Sequence, residues 1–82
     1  MSKTIFVQRG HNGEGHGTPF KIVIKDRGED TYKDVLDVIN EAVEKFKFGK
    51  NCCPVAELDG KLLECTKLLS QIEDRSIILI RF

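Results

Sequence analysis

Two histidines and three cysteines are the side chains with most reactive potential in this chain, and their spacing limits what they can do. His11 and His16 are separated by four intervening residues, inside the spacing at which paired histidines hold zinc. Cys52 and Cys53 are adjacent, so they do not easily chelate one ion, and Cys65 follows twelve residues later. No metal or other cofactor is therefore expected. A thiolate nucleophile would need a base within reach and a third group to orient it. No such constellation stands out, a chain this short cannot wall a deep pocket, and no enzyme is expected. Cys65, near the fourth strand, is expected to be a small core hydrophobe.

Four glycines (Gly10, Gly13, Gly15 and Gly17) fall within eight positions, and flexible backbone N–H groups of that kind can cradle phosphate. The stretch lacks the Gly-Lys-Ser/Thr ending of a P-loop and runs into a strand rather than a helix, so no helix dipole assists. A hairpin tip accounts for it better.

Charge is the next discriminator. Thirteen basic and thirteen acidic residues give a net charge of zero over 82 residues. Nucleic-acid binders carry a basic excess, so no nucleic-acid partner is expected. Residues 1–50 carry nine basic and eight acidic groups, so neither half is polarised. Locally, Lys45, Lys47 and Lys50 gather where a helix should end, which suits the negative end of its dipole. Arg9, Lys21 and Lys25 form a second basic group on the first two strands. No apolar run approaches the roughly 20 residues that cross a bilayer, so no membrane partner is expected. An odd cysteine count without a signal-like N-terminus points to the cytoplasm and reduced thiols.

These residues must be held by elements the pattern makes legible. Thr4–Gln8 is β-branched and aromatic, and Phe20, Ile22 and Ile24 alternate with Lys21, Val23 and Lys25. The two segments predict a hairpin closed by the glycine-rich loop, a density of glycine that no regular element tolerates well. Thr31, three residues before Asp34, predicts a capping box opening a helix from Tyr32 to about Phe46. Tyr32, Val35, Leu36, Ile39, Ala42, Val43 and Phe46 make its apolar face, and Gly49 is the expected stop. Asp59-Gly60 predicts a two-residue hairpin between Val55–Leu58 and Lys61–Leu63. Leu68, Leu69 and Ile72 are spaced as one helical turn. Ile77–Ile80, four aliphatics without alternation, predict a central last strand covered on at least part of both faces, next to the first. The order is an α+β, ubiquitin-like β-grasp: one domain over residues 1–82, a mixed sheet and one main helix.

Several stretches resemble the doublecortin domain, itself a β-grasp. The opening strand running into Arg9 and Asn12-Gly13-Glu14 is similar to that family's strand followed by R-N-G-D, with His11 where an arginine would align and Gly15–Pro19 as an insertion. Asp30–Ile39 resembles its helix start. Val55-Ala56-Glu57-Leu58-Asp59-Gly60-Lys61, then Leu68 and Ser70-Gln71-Ile72-Glu73-Asp74, is similar to its L-D-G-K hairpin, leucine-rich half-turn and acidic turn into the last strand. The resemblance covers nearly the whole chain and implies a tubulin-binding, cytoskeleton-associated module that lodges between protofilaments, often within a larger protein. The residues it would use are Arg9, His11, Asn12, Lys21, Lys25, Lys45, Lys47 and Lys50. The alternative is a ubiquitin-like adaptor binding another protein through its open sheet face or edge. With no Gly-Gly after Phe82, a conjugated modifier is not expected. Self-association in a fibre is a third expectation.

Overall fold

The five strands and the main helix that apolar periodicity predicts all form, with shifted bounds at the first hairpin and at the helix start. The computed structural model describes residues 2–11, 14–25, 27–47 and 53–81, except the side chains of His11, His16 and Glu29. The strands are β1 (Ser2–His11), β2 (Glu14–Lys25), β3 (Val55–Leu58), β4 (Lys61–Leu63) and β5 (Ile77–Arg81), and the helix α1 is Val35–Phe46. The sheet order is β2-β1-β5-β3-β4. The central pair β1–β5 is parallel and the other neighbours are antiparallel. This is the α+β, β-grasp arrangement that the sequence predicts, with the last strand beside the first.

The helix lays Val35, Val38, Ile39 and Ala42 onto one face of the sheet, where Ile5, Val7, Ile24, Ala56, Ile78 and Ile80 receive them. Leu69 and Ile72, on and just after a short 3-10 turn at Leu69–Gln71, close the core from the side. Burying each aliphatic side chain contributes about 2 kcal/mol, so the central strands β1 and β5, with four fully buried aliphatics, hold the sheet together. Phe20, Ile22, Val43 and Phe46 are partly buried around that core.

The glycine-rich segment does not interrupt the hairpin as expected. Pairing stops after Val7↔Phe20 and resumes at Arg9↔His16, Gly10↔Gly15 and His11↔Glu14. On β1 only Gln8 lies between the two ladders, while β2 spends Gly17, Thr18 and Pro19 there. Pro19 has no N–H to donate, and Gly17 sits at φ 78°, so the three residues form a bulge in an otherwise continuous ribbon. Gln8 Nε2 donates to the Gly17 carbonyl at 2.7 Å, bridging the bulge. A side chain at Gly15 would collide with the Gln8 amide, so glycine here admits a close approach that strands otherwise lack.

The helix also starts later than expected. Gly28–Tyr32 is a 3-10 turn, with Thr31 Oγ1 donating to the Gly28 carbonyl at 2.8 Å. The capping box belongs to Asp34 and Asp37: each carboxylate accepts from the other's backbone N–H, at 3.2 and 3.1 Å. Two further donors of the first turn, the N–H groups of Val35 and Leu36, go to the carbonyls of Lys67 and Cys65. Tertiary pairing therefore fixes the helix start, and Tyr32, left outside, is 81% exposed. Leu36 is half exposed. The helix stops at Lys47, in the left-handed region at φ 55° with its N–H on the Val43 carbonyl. The expected stop, Gly49, lies outside the described residues. Cys65 is exposed rather than in the core, because that loop contributes its carbonyl, not its side chain, to the packing. The Asp59-Gly60 hairpin is as predicted, with both residues at positive φ.

Candidate interaction surfaces

The basic residues singled out by sequence divide between two sides of the sheet. Lys45 and Lys47 lie at the C-terminal end of α1. Phe46 packs on Phe20 with ring centroids 5.4 Å apart, and the Lys45 ammonium sits 5.0 Å from the Phe20 ring centre. Phe20 pairs with Val7, two residues before Arg9. The helix end, Phe20 and exposed Arg9 therefore share one end of the molecule, and Arg9 and Lys45 are on the helix-bearing side of the sheet.

Lys45 is held lightly. Its ion pair to Glu41, at 3.9 Å and half exposed, is worth about 0.3–0.5 kcal/mol, and the ring contact at an exposed site about 0.5–1 kcal/mol. Redirecting this ammonium to an incoming carboxylate thus costs little. Lys47 is exposed at the left-handed cap.

Lys21 and Lys25 point the other way. They pair with Phe6 and Ser2, on the face that the helix leaves bare. The backbone N–H of Lys25 donates to Asp30 Oδ2 at 2.8 Å, and Lys33 approaches the other oxygen at 3.3 Å. That backbone donor first, and the Lys33 ammonium second, hold the Asp30 carboxyl below its usual range. His11 pairs with Glu14 at the hairpin tip through its backbone. Asn12 and Lys50 lie outside the described residues. The eight residues expected to act together are thus not one patch: Arg9, Lys45 and Lys47 are brought to one side, and Lys21 and Lys25 to the other.

The bare face carries Val23, which the alternation sets on the lysine side of β2, and Ile77 and Leu79 from the strand expected to be covered on part of both faces, together with Phe6 and Leu62. Val23 and Ile77 are about half exposed, at 49% and 51%, and Leu62 is 64% exposed, while Phe6 and Leu79 are half-buried among them. The signal was present: Val23 falls in step with Lys21 and Lys25, so its side chain had to point outward with theirs. Glu57 is buried on this face, where it accepts from Arg81 Nε at 2.6 Å.

Little else offers chemistry. An open depression of about 490 Å³ between β4 and the following loop is lined by Leu62, Leu63, Glu64, Thr66, Lys67 and Gln71. Its one carboxylate and one ammonium make no nucleophile and base pair. Among the described residues, no three histidine, cysteine or acidic side chains are grouped to hold a metal ion. No described helix is long and apolar enough to cross a membrane. Compared with the known protein families and with curated proteins, the chain matches neither a family nor an individual relative.

Proposed function

We propose that the chain is a doublecortin-type module that binds tubulin polymer and stabilises or shapes it at the cytoskeleton, as part of a larger assembly of domains. The observation that carries this reading is the placement of Arg9, Lys45 and Lys47 at one end of a β-grasp whose sequence motifs follow the doublecortin order. Complementary charge draws the domain to the acidic tubulin surface, and fit into a groove between subunits retains it. Because net charge is zero, long-range steering is weak and these few cations matter individually.

Co-sedimentation with microtubules at two salt concentrations tests the reading. The domain should pellet at low salt and release as salt rises, and the pair Lys45→Glu with Lys47→Glu should weaken pelleting about tenfold. Absence of co-sedimentation, or pelleting indifferent to salt, overturns it. A second reading, a protein-interaction domain not engaged with tubulin, is favoured by the exposed Val23, Ile77 and Leu62 on the bare sheet face. Failure to pellet, together with binding on that face, would select it.

A further inference from the structure

We infer that the bare sheet face is a docking surface for a short protein segment carrying apolar side chains flanked by carboxylates. The inference rests on the second reading and adds the place and the partner's chemistry. It follows from two properties of one surface. The first is apolar continuity. Phe6 pairs with Ile77, and Leu79 lies opposite Glu57, which in turn lies opposite Leu62. Outward Val23 is on the same side as Phe6. Val23, Phe6, Ile77 and Leu79 run across the three neighbouring strands β2, β1 and β5, Leu62 lies beyond Glu57 on β4, and Val23, Ile77 and Leu62 are about half exposed or more. Scattered surface aliphatics need no explanation, but an apolar band continuous across three neighbouring strands is what a partner covers.

The second property is the sign of the charge around the band. Among the described residues, the outward strand positions carry Lys21, Lys25 and Arg81 as cations and Glu57 as the one carboxylate. Glu57 is spent on Arg81 at 2.6 Å. Lys25 is partly answered by Asp30, which accepts from its backbone N–H. Lys21, exposed and directly across from Phe6, sits at the margin of the apolar band, makes no ion pair among the described residues, and is the cation an incoming carboxylate would meet. The described outward strand positions of a second copy would offer Lys21 no unpaired carboxylate, because Glu57 is held by Arg81, so the face is complementary to an acidic partner rather than to itself.

The probe is a pair of synthetic amphipathic peptides of equal length, one with leucines flanked by glutamates and one with the glutamates replaced by lysines. Each is titrated into the ¹⁵N-labelled chain and followed by amide shifts. The acidic peptide should shift β1, β2 and β5 amides around Phe6, Val23 and Ile77, and its affinity should fall with salt. Lys21→Glu should weaken it at least tenfold, and Ile77→Asp likewise, with unchanged helix content and thermal midpoint showing that both variants fold. Microtubule pelleting of Ile77→Asp should match the unaltered chain, because Arg9, Lys45 and Lys47 are untouched. Equal binding by the lysine peptide overturns the partner's chemistry while leaving an interaction face. No binding by either peptide, or shifts confined to α1, overturns the surface itself and the second reading with it. Concentration-dependent dimerisation that Ile77→Asp abolishes overturns the proposal in favour of a second copy.

Discussion

Two neighbours on β5, Ile77 and Ile78, are the same residue with opposite situations. Ile78 is fully buried beneath α1, while Ile77 is about half exposed on the other side of the sheet. The same division separates Ile24 from Val23 on β2. One face of the sheet is spent on stability and the other is left available, although their side chains are chemically alike. In a period-2 element, position and not residue type decides which task a β-branched side chain performs.

The largest test of that division compares substitutions one residue apart. Ile78→Ala removes volume from a closed core and should cost about 2–5 kcal/mol, while Ile77→Ala should cost under about 1 kcal/mol, both read from urea unfolding. Comparable losses would mean that the outward face is as structural as the inward one.

A smaller effect is expected where the outer face closes on itself. Gly10 lies under Leu79, and a Cβ there would come within 3.0 Å of the Leu79 Cβ. Gly10→Val should destabilise by about 1–3 kcal/mol, and pairing it with Leu79→Gly, which removes the Cβ that the new side chain meets, should cost less than the sum of the two single losses. Additive losses in the double variant would show that the close approach is not the cause.

The smallest effect is a pH dependence at the margin of the outer face. Asp30 is partly buried, and its folded value lies below the ordinary carboxylate value near 3.8. The ionised form therefore adds stability at pH values above the ordinary carboxylate value, and this is lost as pH falls through the lower folded value. Asp30→Asn should flatten the fall in urea midpoint between roughly pH 5 and pH 3. An unchanged slope would remove Asp30 from the account.

Much of the fold was legible because it depends on local periodicity. The alternation at Phe20–Ile24, the stripe from Val35 to Phe46, the Asp59-Gly60 turn and the aliphatic run at Ile77 each specify an element without help from elsewhere. The start of α1 was not legible for a definite reason. Thr31 with Asp34 and Asp34 with Asp37 have the same spacing, and the choice is made by Lys67 and Cys65, whose carbonyls take the N–H groups of Val35 and Leu36. The strand pairing through Gly10 and Gly15 was equally hidden, since it relies on Gln8 reaching across the bulge to Gly17. Of the interaction residues, sequence found the lysines but not their division, because which face a strand presents depends on where the helix settles. The outward apolar band was visible only in part, through the step that Val23 keeps with Lys21 and Lys25.

The parallel pairing of β1 with β5 also sets the order in which the sheet can be completed. Thr4 donates its N–H to Asp74 at 2.7 Å across a sequence separation of 70 residues, so the centre of the sheet closes the longest loop in the fold. Such non-local closure costs loop entropy before any contact repays it and slows folding. During synthesis β1 and β3 each keep an unpaired edge until β5 arrives, and aliphatic edges of that kind invite other chains. A chain shortened before Ile77 loses the strand that seals both edges, and its expected fate is aggregation rather than a smaller version of the same domain.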